Sequence, residues 1–151
     1  MSVEQTRATL DGYLEALVAR GDYGRYLADD ATVALVGTDH AAQGRDATVE
    51  LITGMHTQAF DAQPEVTNRL VDDGKAAVEA IFVGTHTGEF AGIPATGRAV
   101  RVPYSVLYDV TGDRITALRI YLPVHVLLEQ LGAGAAAEAP PMVAPAGGGS
   151  G

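Results

Sequence analysis

The sequence predicts an α+β fold in which N-terminal helices cover one face of a curved antiparallel sheet, and three observations carry that prediction. Apolar residues recur at the three-and-four spacing of a helical face only up to Phe60. From Glu65 onward the period falls to two, as it does on strands half buried against a core. Short turn segments, Asp72-Asp73-Gly74 and Thr111-Gly112-Asp113, then divide the strand-forming half into hairpins. Helices followed by hairpin-connected strands is the order of an α+β domain.

Residues 3–20 place Leu10, Tyr13, Leu14, Leu17 and Val18 on one helical face with Glu4, Arg7, Asp11 and Glu15 elsewhere, and Gly21 stops the helix. Tyr13 lies on or beside the buried stripe; it is read as packing first, and as a hydroxyl offered to a cavity second. A short helical turn at 23–27 precedes ATVALV at 31–36, whose β-branched and apolar residues predict a buried strand. The following GTDHAAQG is read as loop. A further helix starts at Arg45 or Asp46, where the acid complements the positive helix end, and continues through Val49, Ile52, Met55, His56 and Phe60 with His56 facing inward. Two hairpins follow, VTNRLV with AAVEAIFVGTH and then 100–110 with 114–122. Between them GTHTGEFAGIPATGR, 84–98, carries Phe90, Ile93 and a stiffening Pro94 and is read as a lid at a pocket mouth. After Pro123, VHVLLEQLG predicts a short helix with Leu127, Leu128 and Leu131 apolar and Gly132 as its stop.

A chain of 151 residues suits one domain, placed at 1–132. The rest, 133–151, is an Ala/Pro/Gly-rich stretch predicted to be a disordered tail, and its GGGSG ending resembles an expression linker. No apolar run approaches the roughly 18 residues of a membrane span, and the N-terminus lacks the basic start and apolar core of a secretory signal. A cytoplasmic protein with no membrane partner is therefore expected. A net charge of -9 with scattered Lys and Arg argues against nucleic acid. Zero cysteines exclude disulfides, thiolate zinc sites and a cysteine nucleophile. The four histidines fall in four elements without HxH or HExxH, so no metal site is expected.

The order of helix, short helix, ADDATV strand, helix, two long hairpins and terminal LLEQLG, together with GTHTGEF at 84–90, Gly92-Ile93-Pro94 and Thr96-Gly97-Arg98, resembles the SnoaL-like polyketide cyclases (ester cyclases) over about residues 3–132. These belong to the nuclear-transport-factor-2-like, or ketosteroid-isomerase-like, cone fold. The resemblance implies a cone-shaped sheet enclosing an apolar pocket, often a homodimer, with catalysis by side chains of the pocket wall and without metal or cofactor. Family cyclases use an aspartate on the last strand as acid and base, and the matching residue here is Pro123, after Tyr121 and Leu122. The first-strand base of ketosteroid isomerases matches Leu35, so both family acids are replaced.

With those acids absent, His125 is the nearest proton carrier, since it continues the alternation of Arg119, Tyr121 and Pro123 if the strand has not yet turned. Tyr121 is its expected oxyanion donor. His86 is the third catalytic candidate, with a structural alternative of holding the lid by hydrogen bonds. Arg119, set among apolar residues, calls for a carboxylate such as Glu79 or a substrate anion. Arg119, Tyr13, His56, Phe82, Phe90 and Tyr104 are the expected substrate-binding residues. The expected function is a cofactor-independent acid-base enzyme acting on an apolar carbonyl or polyketide-like small molecule by cyclisation, isomerisation or dehydration. The alternatives are a non-catalytic small-molecule-binding or dimerisation module, an epoxide-opening enzyme in which Arg119 assists carboxylates, and a chain redesigned for a non-natural reaction.

Overall fold

The computed structural model describes residues 2–132; the tail expected at 133–151 lies outside the described residues. In chain order the elements are α1 (Val3–Val18), a 3-10 turn (Tyr23–Tyr26), β1 (Leu27–Leu35), β2 (Ala41–Gln43), α2 (Arg45–Thr53), a π turn (Gly54–Gln58), β3 (Phe60–Asp72), β4 (Lys75–His86), β5 (Ala99–Thr111), β6 (Arg114–Tyr121) and α3 (Val124–Gln130). The six strands form one sheet in the order β2-β1-β6-β5-β4-β3. This is the α+β architecture predicted, with three corrections.

The sheet is mixed and not wholly antiparallel. β3 to β6 form an antiparallel meander, but β1 lies parallel to β6, with Thr32 opposite Ala117 and Leu35 opposite Ile120. Parallel neighbours need a long connection. Here α2 and four strands supply it, and residue alternation carries no information about strand direction. The stretch read as loop after β1 contains β2, whose three residues pair antiparallel with Thr32 to Ala34 and are too few to show a period. The helix expected to reach Phe60 is α-helical to Thr53 and runs on as the π turn to Gln58, and β3 starts at Phe60. In β3, Phe60, Ala62 and Pro64 are buried while Asp61, Gln63 and Glu65 are exposed, so the alternation begins ahead of Glu65. Pro64 is tolerated there because β3 is a sheet edge.

α1 starts at Ser2, whose hydroxyl accepts the Gln5 backbone N–H at 3.1 Å, as an N-cap does. Its apolar face lays Leu10, Tyr13, Leu14 and Leu17 against Val78, Ala80, Val106 and Tyr108 of the strands. A second cluster at the other end of the sheet gathers Phe60, Phe82, Phe90, Val102 and Leu127, with α3 packed against it. Bulges between Val66 and Asn68 and between Asp109 and Val110 break the strand registers, which is where antiparallel strands gain bend and twist. Among the described residues no helix is long and apolar enough to cross a membrane.

Candidate active site

The inner face of the sheet, α1 and the α2–π-turn segment enclose a narrow cavity of about 60 Å³. Its wall is apolar except for four groups: the His56 imidazole and the phenols of Tyr13, Tyr104 and Tyr108. Leu118 and Ile120 of β6, and Leu122 just beyond its end, face the cavity. That parity decides the fate of several expected site residues.

His56 sits in the π turn, where the Ala59 N–H reaches back five residues to the Gly54 carbonyl at 2.7 Å. Such turns widen a helix locally and re-aim its side chains. His56 Nδ1 lies 2.8 Å from the Ile52 carbonyl oxygen. A carbonyl only accepts, so Nδ1 carries the proton and Nε2 presents its lone pair. Nε2 is buried and has no hydrogen-bond partner. The ring stands edge-on to Phe82, with centroids 5.6 Å apart. Burial holds the His56 pKa below the ordinary histidine value; the Ile52 bond opposes this, and the Arg20 charge adds to it. The result is a neutral imidazole of fixed tautomer. Arg20 also pins the turn from outside: its Nη2 donates to the His56 carbonyl at 3.4 Å, to the Ala62 carbonyl at 3.2 Å and to Asp61 Oδ1 at 2.5 Å.

The phenols are donors held in their protonated form. Burial is the first cause of raised pKa values at Tyr13, Tyr104 and Tyr108, and at Tyr13 the Tyr108, Tyr23 and Tyr104 hydroxyls raise it further. The Tyr13 and Tyr108 rings meet edge-on at 6.0 Å, and Tyr104 meets Phe82 at 6.3 Å. No hydrogen bond from these three hydroxyls to another described residue is present, which leaves them available to a molecule in the cavity. One lone pair and three O–H donors in an apolar space make a proton-transfer constellation: a base for a carbon acid, and donors for the oxyanion that forms.

Of the expected pocket residues, Tyr13, His56, Phe82 and Tyr104 line this cavity. Phe90 does not. It was expected in the lid as a substrate-binding residue, but it is 8% exposed and packs on Phe60 at 5.4 Å in the second cluster. Arg119 does not either. With Leu118 and Ile120 inward it points to the outer face, where its two terminal nitrogens grip both Asp109 oxygens at 3.1 Å. The expected partner Glu79 instead accepts from Asn68 at 3.2 Å. Arg119, and Lys75 at 2.8 Å, hold the Asp109 carboxyl down at about 2.

None of the three expected catalytic residues lines the cavity. Tyr121 shares the outward parity of Arg119 and is 44% exposed. β6 ends at Tyr121 and α3 starts at Val124 behind the cap residue Pro123, so strand alternation never reaches His125. On α3 the buried side carries Leu127, and His125, two residues away and so on the opposite side of a 3.6-residue turn, is exposed. His86 is fully buried, but in the second cluster beside Phe60 at 5.1 Å. Its Nδ1 accepts the Thr96 backbone N–H at 3.1 Å and lies 3.0 Å from the Thr96 hydroxyl, while the His86 backbone N–H donates to the Arg98 carbonyl at 2.9 Å. These are bonds that tie the 87–98 loop to the end of β4. Tyr108 was absent from the expected pocket, although a legible signal existed: four residues from Tyr104 on one strand, it must face the same way. Among the described residues no three His, Asp or Glu side chains group closely enough to hold a metal ion.

The comparisons with known proteins agree with this frame. No curated protein matches the chain in sequence. Among solved structures, a candidate polyketide cyclase of Xanthomonas campestris pv. campestris is 18% identical with a TM-score of 0.76, over 85% of this chain and 98% of that one. A second candidate polyketide cyclase, IdmH of Streptomyces antibioticus, is 25% identical with a TM-score of 0.70, over 85% and 99%. An LEH-like epoxide hydrolase of M. tuberculosis is 20% identical with a TM-score of 0.68, over 90% and 95%. The family model described as SnoaL-like polyketide cyclase matches residues 13–131, which span the helices, the sheet and the cavity described above, and the chain belongs to that family.

Proposed function

We propose that this chain is a cofactor-independent enzyme that moves a proton on an apolar carbonyl or polyketide-like small molecule, with His56 as its base. Family membership supports small-molecule chemistry of this kind. The observation that carries the specific reading is the buried, unpartnered Nε2 of a tautomerically fixed imidazole in a cavity that also holds three protonated phenols. Nε2 takes a proton from the carbon next to the carbonyl, and the electron pair moves onto the carbonyl oxygen, where a phenol donates to the enolate. The imidazolium then returns the proton to another carbon in an isomerisation, to a departing hydroxyl in a dehydration, or to the new alkoxide when the enolate carbon attacks a second carbonyl of the same molecule. The cavity wall contains no carboxylate, so imidazole chemistry is favoured over epoxide opening by paired acids. At about 60 Å³ the cavity is smaller than ligand sites generally are, and a polyketide-sized guest requires wall side chains such as Met55 to swing aside.

The test is hydrogen exchange at the α-carbon. A panel of apolar ketones and 1,3-diketones incubated with the protein in D2O, followed by proton NMR, should show at least one compound exchanging faster than in buffer and faster than with His56→Gln. Binding of panel members without any acceleration would favour the non-catalytic binding module instead.

A further inference from the structure

We infer that the surface cleft lined by Arg20, Arg25 and Arg45 receives the carboxylate of a singly charged substrate whose apolar carbonyl portion enters the cavity. The inference rests on the reading of the cavity as the proton-transfer site. The cleft lies between the end of α1, the Tyr23–Tyr26 turn and α2, and its volume is about 570 Å³ against about 60 Å³ for the cavity. Leu17 and His56 line both spaces. The cleft is thus the larger space beside the residue at which the reacting carbon stands.

The cleft is also unusual in charge. Three of the ten Lys and Arg residues of a chain with net charge -9 line it. Each guanidinium keeps donors unspent. Arg20 makes its contacts to Asp61, Ala62 and His56 through Nη2. Arg45 uses Nε for the Leu27 carbonyl at 3.0 Å and Nη2 for Asp29 at 2.6 Å. Arg25 lies over the Tyr26 ring at 5.1 Å and makes no ion pair among the described residues. The planar fork of donors on such a group suits a carboxylate. Asp22 and Asp46 line the same cleft, and Arg20 and Arg45 are already paired with Asp61 and Asp29, so Arg25 is the one cleft guanidinium without an ion pair among the described residues. One unpaired guanidinium fits a monoanion and disfavours a phosphate ester, which carries close to two charges.

Two fluorescent probes with one ring system separate the parts of this inference: the monoanion 8-anilinonaphthalene-1-sulfonate and the neutral N-phenyl-1-naphthylamine. In titrations of the full chain at low salt the anionic probe should bind about fivefold tighter than the neutral one, a modest margin because the arginines are partly exposed. Half-molar salt should erase most of the margin. Arg25→Gln should weaken the anionic probe and leave the neutral one unchanged. As displacers of the anionic probe, 2-naphthoate should outcompete 2-naphthyl phosphate. Normal binding of the neutral probe with no anionic preference, or an equal effect of Arg25→Gln on both probes, overturns the head-group site alone. Better displacement by the phosphate overturns the carboxylate assignment. No binding of the neutral probe overturns the cavity reading, and the head-group site with it.

Discussion

Replacing His56 by glutamine is expected to lower kcat/KM for α-proton exchange by about 10²- to 10⁴-fold, the span that a positioned general base contributes. Glutamine is similar in length and its amide N–H can still donate to the Ile52 carbonyl, so the turn is retained while the basic nitrogen is lost. His125→Ala and Tyr121→Phe serve as controls: both side chains are exposed and outside the cavity, and each change should leave the rate within about twofold, in keeping with the small effects of surface substitutions. A fall with either control comparable to that of His56→Gln would return the chemistry to the last strand. The pH dependence carries an independent sign. Because burial lowers the His56 pKa, the acid limb of kcat/KM should lie below the ordinary histidine value of about 6.5, with a plateau at neutral pH. Stability follows the same asymmetry. The unfolded chain binds the His56 proton at its ordinary pKa and the folded chain only at a lower one, so His56 contributes stability that is complete above about 6.5 and is lost as pH falls through the folded pKa. Between roughly pH 7 and pH 5 the urea midpoint of the wild type should therefore fall further than that of His56→Gln. Parallel falls in the two proteins would contradict the buried neutral imidazole.

Much of the fold was legible because the two periods are physical consequences of what each element buries. Leu10, Tyr13, Leu14 and Leu17 do cover the sheet, and the hairpins turn at Gly74 and Gly112, where positive φ values of 80° and 64° suit glycine. Strand direction was not legible, since a parallel neighbour of β6 shows the same alternation as an antiparallel one. The site was legible up to the point where one kind of element gives way to another. Phe82 and Tyr104 were expected as substrate-binding residues and line the cavity, as does His56, which helical spacing placed inward. His125 was misplaced because alternation was carried across Pro123, where the strand had ended and a helix began. The Arg119 partner was out of reach for a related reason. Asp109 stands opposite Ala117, diagonal to Arg119, and the pairing register that creates this neighbour passes through a bulge between Asp109 and Val110. The orphaned Nε2 of His56 belongs to no local pattern at all. It depends on the π turn and on what packs around it.

Gly88→Ala should be the most informative change outside the cavity, because this glycine touches the segment that carries the base. A Cβ at position 88 would stand 2.2 Å from the Gln58 carbonyl oxygen and 3.1 Å from its carbon. The neighbour is backbone and not the end of a flexible side chain, so the two chains must separate. The same contact is fastened by the Thr87 and Gly88 N–H groups, which both donate to the Ala59 carbonyl, at 3.1 and 3.0 Å. Forcing the segments apart should cost about 1–3 kcal/mol, the range for inserting a methyl into a filled space, and lower the urea midpoint accordingly. Gln58 is two residues from His56 in the same π turn, so a shift there also moves the imidazole. A misplacement on the order of 1 Å costs about 10²-fold in rate, and kcat/KM should fall by that order at a temperature where both proteins are fully folded. A loss of stability with an unchanged rate would mean that the turn holds His56 without help from this loop; an unchanged midpoint would mean that the close approach is absent. The 84–98 stretch read from sequence as a lid at a pocket mouth thus acts at two points behind it. His86 ties down Thr96, and Gly88 lets the backbone close on the π turn, so that the end of β4 sets where the base stands.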